Sequence, residues 1–207
     1  ASLAAANRRV LLVDLDPQGN AAMGCGIDKQ DVKYSSYDLL MEDVPASETV
    51  IKLPDIGFSV IPGNGDLTAA EVQLMQADHR ERRLADALIP IKPDYDYILI
   101  DCPPNLGILT INAIRAASEI IIPVEASRFS LEGLGQLTSI VNLVKERLNH
   151  NVDFHVLVTN FDSRLQHSFK MLEKIKTDYQ NMLFSNIIHV NVKLKEAQNE
   201  VLHILAY

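Results

Sequence analysis

The sequence predicts an α/β fold, a mostly parallel twisted sheet with helices on both faces. Three observations carry that prediction. Short apolar runs alternate along the chain with stretches whose apolar residues recur at three- and four-residue steps. Several runs are apolar at every position, as strands buried on both faces of a parallel sheet must be. Two of them end in acids followed at once by turn residues. The run at 10–13 enters Asp14-Leu15-Asp16-Pro17-Gln18-Gly19-Asn20, and the run at 97–100 enters Asp101-Cys102-Pro103-Pro104-Asn105-Leu106-Gly107. An open parallel sheet presents its chemistry at the carboxyl ends of its strands, so the two acidic edges predict a magnesium-nucleotide site.

Taken in order, strands are expected at 10–13, 58–61, 98–100, 120–124, 154–158 and 187–190. Tyr37-Asp38-Leu39-Leu40 forms a short helix inside the long connection from Asp28 to Asp55. Pro62-Gly63-Asn64-Gly65 is a turn, because no lysine follows in the frame a phosphate loop requires. Helices are expected at 67–75 and at about 80–89, the second stopped by Pro90 and Pro93. Leu131, Leu134, Leu137, Val141, Val144 and Leu148 line one face of a helix capped by Ser130, with Glu132 in its positive first turn. Leu165, Phe169, Leu172, Ile175, Tyr179 and Met182 do the same after Asp162 and Ser163. No linker or repeat interrupts the pattern, which predicts one domain over residues 1–207.

The acidic motifs are also where the chain resembles a known family. Residues 14–20 and 101–107 are similar to the ParA/Soj partition ATPases, the P-loop branch with a deviant Walker A lysine. Ile122-Pro123-Val124-Glu125, Leu131-Glu132-Gly133-Leu134 and Asn191-Val192-Lys193-Leu194-Lys195-Glu196-Ala197 follow in family order. The resemblance implies ATP and Mg²⁺ as cofactors, with Asp101 as the Walker B acid acting on Mg²⁺ through water. Asp16, before Pro17-Gln18, would orient the attacking water, and Asp14 would support it near the magnesium and phosphates. It places adenine contacts at Thr159, Asn160, His189 and Asn191, although His189 stands where the family usually has proline. It further implies an ATP-bound homodimer that binds DNA non-specifically and is stimulated by a ParB-like partner. Arg164, Lys193 and Lys195 are the DNA candidates, with Lys170 and Lys174 beside them, and Val190 replaces a frequent family arginine.

Nowhere does the chain contain G-x-x-x-x-G-K-[ST] or the family's lysine-glycine-glycine version of it. The family carries that loop ahead of a helix whose end corresponds to Ala1–Ala6, so the resemblance implies a segment cut inside that helix, and the apolar close at 203–207 reads as a second interruption. The family's first strand is central to the sheet, and a chain without it is expected to present two unpaired edges.

Composition narrows the alternatives. At 207 residues and 23.0 kDa, 47% hydrophobic and 22% charged, the chain has the makings of one globular core. A net charge of −8 and a pI near 5.2 confine any nucleic-acid binding to a local patch. Cys25 and Cys102 match no zinc or CxxC spacing, consistent with a reducing compartment, and their separation disfavours the iron–sulfur members of the superfamily. No run reaches the ~18–20 apolar residues of a membrane span, and the Ala-rich start lacks a signal-peptide pattern, so a cytoplasmic, nucleoid-associated protein is expected. The alternatives are a MinD-like division regulator, identifiable by a C-terminal amphipathic helix, and a non-catalytic regulatory relative. Retention of three strand-end acids argues against the second.

Overall fold

The computed structural model describes residues 1–28 and 31–199. Among the described residues two compact units form, one of residues 1–116 with 193–199, the other of residues 117–192. In the first, α1 (Ser2–Ala5) leads into β1 (Val10–Asp14), followed by α2 (Asn20–Met23), α3 (Ser36–Met41), α4 (Ala46–Thr49), β2 (Ile51–Leu53), β3 (Phe58–Ile61), α5 (Leu67–Leu74), α6 (Arg83–Leu88), β4 (Tyr97–Asp101) and α7 (Ile108–Ala116). The second holds β5 (Glu119–Glu125), α8 (Arg128–Leu148), β6 (Asp153–Thr159) and α9 (Gln166–Tyr179), and α10 (Val192–Asn199) follows.

In the first unit the sheet order is β2-β3-β1-β4, with β1 parallel to both β3 and β4 and β2 antiparallel at the far edge. This central place explains the unbroken apolar character of β1: Leu11 and Val13 are wholly buried, and with Leu15, Ile61, Leu67, Leu74, Leu84 and Leu109 they form the core. Buried Asn112 ties α7 to the chain before α6, its Nδ2 donating to the carbonyls of Arg80 and Ile108 while its Oδ1 accepts from the Leu84 N–H. Among the described residues β4 pairs on one side only, and its Tyr97 and Leu99 are exposed. In the second unit β5 and β6 run parallel in register over seven residue pairs, and β5 likewise has an open edge with Ile121 exposed.

The structure departs from the expected elements at five places. β2 was not foreseen, being only three residues long and antiparallel. Nor was α7, whose residues are apolar on most sides and carry no clean stripe. The segment 187–190 is no ladder strand: a single bridge joins His189 to Phe161, because β6 ends at Thr159 and Asn160 turns the chain at φ 48°. Asparagine tolerates that left-handed geometry better than other non-glycine residues. Ser130 lies inside α8 rather than capping it, and α9 begins at Gln166, after the Asp162–Leu165 turn.

Candidate functional site

The carboxyl ends of β1 and β4 lie side by side, with Asp14 opposite Asp101 in the parallel register. The Leu15 N–H donates to the Asp101 carbonyl at 2.9 Å, extending the pairing into the loop after β1. Adjacent strand ends are where an open parallel sheet can converge groups from different parts of the chain on one ligand. Here it converges three aspartates in distinct environments.

Asp14 is fully buried. Its Oδ1 accepts from the Asp16 N–H at 3.0 Å and its Oδ2 from the Ala22 N–H at 2.9 Å, so one carboxylate pins both the turn and the start of α2. Burial pushes its pKa up, the two backbone hydrogen bonds oppose the rise, and the charges of Asp101 and Asp16 add to it. Its carbonyl is held as well, accepting from the Ser36 hydroxyl at 2.7 Å. Ser36 is placed by a capping box at the start of α3, in which the Ser35 hydroxyl accepts from the Tyr37 N–H and the Asp38 carboxylate accepts from the Ser35 N–H.

Asp16 is half-buried on the loop that Asp14 organises. Its Oδ1 accepts from the Gln18 N–H at 2.9 Å and its carbonyl from the Gly19 N–H at 2.8 Å, a turn that leaves Oδ2 able to receive a further donor. Asp101 is exposed at the end of β4. Partial loss of hydration raises its pKa, the negative charge of Asp16 adds to the rise, and a hydrogen bond from the Cys102 N–H opposes it. The neighbouring Cys102 thiol is pushed up to about 12 by burial and by Asp101, which leaves it protonated and inert as a nucleophile. The three carboxylates repel one another at this edge, and among the described residues no group of three or more acids, histidines or cysteines is placed to hold a metal ion by itself.

Sequence reasoning missed Gly63. Read as a turn residue, it packs directly on the acidic loop: a Cβ there would lie 2.9 Å from the Asp14 carbonyl, the Asp14 Oδ1 and the Asp16 carbonyl. Only glycine allows that approach. Ser36 was also missed, though the Ser35-to-Asp38 capping pattern was legible.

Of the remaining expected residues, Thr159, Asn160, Arg164, His189 and Asn191 belong to the second unit, and Lys193 to the first. Thr159 ends β6 opposite Glu125 at the end of β5. The Asn160 Nδ2 donates to a Glu125 carboxylate oxygen at 2.7 Å, and His189 stands edge-on to Phe161 at 5.4 Å between ring centres. Asn191 and Lys193 have interactions of their own, and the Lys195 side chain lies outside the described residues. Arg164 is highly exposed but forked onto Asp162 by Nε at 2.9 Å and Nη2 at 2.6 Å, and this pair holds Asp162 down to about 2.

The raised pKa of Asp101 has a checkable sign. The folded state binds this proton more tightly than the unfolded chain, so its contribution is fully present below the ordinary value of 3.8 and is lost as pH rises through the folded pKa. Asp101→Asn is therefore expected to raise the thermal midpoint at pH 7.5, with no gain below pH 3.8. Solvent screening keeps the gain small, on the order of 1–2 °C. Paired thermal melts at the two pH values check it.

Fold and acidic edge together define a P-loop-type α/β ATPase class, and comparison with known proteins agrees. Residues 1–154 match the AAA domain family model. The chain is 43% identical over 208 aligned residues to the chromosome partitioning protein ParA of Myxococcus xanthus, covering all of this chain and 74% of that one. It is 41% identical to the sporulation initiation inhibitor protein Soj of Bacillus subtilis, covering all of this chain and 82% of that one. Among solved structures, the cobyrinic acid a,c-diamide synthase of Mycobacterium smegmatis with bound ADP and magnesium superposes with a TM-score of 0.85 at 34% identity, covering 96% of this chain and 82% of that one. The chain belongs to the ParA/Soj family, a nucleotide-hydrolysing family with the deviant Walker A P-loop fold.

Proposed function

We propose that this protein hydrolyses ATP with Mg²⁺ in chromosome or plasmid partitioning. The observation that carries the reading is the pair Asp16 and Asp101, brought to the carboxyl ends of adjacent parallel strands with coupled charges. The M. smegmatis neighbour, solved with ADP and magnesium, supports the cofactors, and the partitioning relatives support the process.

Each residue has a part the geometry favours. Asp14, with both oxygens committed to backbone N–H groups, is a positioning residue that fixes the loop. Asp16 accepts a hydrogen bond from the attacking water through its uncommitted Oδ2 and orients it. Asp101 holds the magnesium shell through water, the ion supplying charge neutralisation on the phosphates when bound. Thr159, Asn160, His189 and Asn191 are the proposed adenine contacts, with Asn160 steadied by Glu125.

The ATP-bound form acts as a homodimer on the nucleoid in the cytoplasm, binds DNA without sequence preference, and is released when a ParB-like partner stimulates hydrolysis. Asp162 partly neutralises Arg164, which lowers the share of the phosphate contact that Arg164 carries. Gel shifts of the full-length gene product on unrelated duplexes, with ATP and with ADP at several salt concentrations, test this. Changing Arg164, Lys193 and Lys195 together to Glu is expected to abolish ATP-dependent retention at moderate salt and leave ATP turnover intact. Each lost phosphate contact flattens the log–log salt slope by about 0.9. Unchanged affinity and slope in the triple variant would place the DNA surface elsewhere.

A further inference from the structure

We infer that Glu71 on α5 is a positioning residue that latches the loop following Asp101, an inference that builds on the ATPase reading above. The Asn105 Nδ2 donates to Glu71 Oε1 at 3.1 Å, across 34 residues of sequence. Two residues further on, Gly107 lies so close that a Cβ there would sit 2.7 Å from the same Glu71 oxygen and 3.4 Å from Asn105 Oδ1. The loop's far end is fixed to α7, where the Thr110 hydroxyl donates to the Asn105 carbonyl at 2.7 Å. Its near end is Asp101 itself.

The helix that bears Glu71 also reaches the other acidic loop. α5 follows the turn containing Gly63, which packs against the carbonyls of Asp14 and Asp16. Leu67, Ala70 and Leu74 anchor α5 in the core with no exposed surface, so the helix is a rigid mount rather than a surface flap. On its outer side the Tyr37 hydroxyl donates to Gln73 Oε1 at 3.2 Å, tying the same helix to α3. One short element thus braces the Asp16 loop through its preceding turn and the Asp101 loop through its own carboxylate.

A carboxylate suits this task because a charged acceptor makes the stronger hydrogen bond to an amide. Proline at 103 and 104 stiffens the first half of the loop, and Glu71 adds a side-chain restraint to the second half beside the bonds that its backbone accepts from α7. Glycine at 107 is the counterpart: any side chain there pushes Glu71 away, and because Glu71 is a flexible chain meeting the clash with its tip, the tether breaks before the backbone moves. Gly107→Ala and Glu71→Ala are therefore expected to produce the same defect through the same missing bond.

Exchange of the Asn105 side-chain amide, whose Nδ2 is the donor, reads the latch directly, in the 207-residue chain and in the full-length gene product. Glu71→Ala is expected to speed exchange there by about 5–10-fold, the scale of one lost hydrogen bond. Glu71→Gln, which keeps the acceptor oxygen, should stay within about twofold of the parent by the same reasoning. Gly107→Ala should match Glu71→Ala, and the double variant should add nothing. In the full-length product Glu71→Ala should lower kcat with KM for ATP little changed, and Glu71→Gln should restore it. Unaltered exchange in Glu71→Ala, or full additivity with Gly107→Ala, would overturn the latch. If exchange responds as expected but the full-length product turns over no ATP, the latch stands and the ATPase reading falls.

Discussion

Asp16→Ala in the full-length gene product is expected to slow ATP hydrolysis by roughly 10²-fold or more while ATP binding survives, the scale of a lost positioning or general-base group. The reason lies in how the three acids divide their work. Both oxygens of the fully buried Asp14 already accept backbone N–H groups and Asp101 sits at the end of a different strand, whereas half-exposed Asp16 stands on a turn tightened by Gln18 and Gly19 with its Oδ2 given no donor among the described residues. Single-turnover hydrolysis alongside equilibrium nucleotide binding separates the two effects. A variant with near-normal turnover would move the role away from Asp16, and one that loses binding as well would show that the residue shapes the site rather than the reaction. If the ATP-bound state accumulates as expected, the variant also remains longer on DNA.

The parts of this arrangement that were legible in the sequence share a physical cause. β1, β3, β4, β5 and β6 announced themselves through apolar runs, continuous in β1 because both its faces are buried, and the acids at two strand ends stood out because charge is costly next to such runs. The helices α8 and α9 were legible through their three- and four-residue periodicity. What escaped was set by contacts distant in sequence. Nothing local marks Glu71 as the partner of Asn105, or Gly63 as a glycine demanded by the oxygens of Asp14 and Asp16 rather than by its own turn. The segment 187–190 has the composition of a strand, but the turn at Asn160 ends the strand it would have paired with. Arg164 counts as a basic residue in the sequence and as half of a neutral pair in space.

The absence of a phosphate-binding lysine loop from these 207 residues carries the other large prediction. The chain as it stands is expected to bind ATP more weakly than about 1 mM, and joining the strand and lysine-glycine-glycine loop of a family member ahead of Ala1 is expected to bring binding to the micromolar range, a gain of about 4 kcal/mol. A triphosphate needs backbone N–H groups and lysines aimed at its oxygens. The edge described here offers the opposite. Asp16 and Asp101 repel an anion, and the Ala22 N–H in the first turn of α2 is already taken by Asp14. Magnesium lessens that repulsion without replacing the missing donors, so adding it alone leaves the chain a poor binder. Calorimetric titration of the two polypeptides with ATP, with and without magnesium, makes the comparison. Micromolar, magnesium-dependent binding by the unextended chain would mean that its own groups form a phosphate cradle, whereas recovery only on extension locates the missing affinity in the loop and leaves Asp16 and Asp101 to act on a nucleotide that other residues hold.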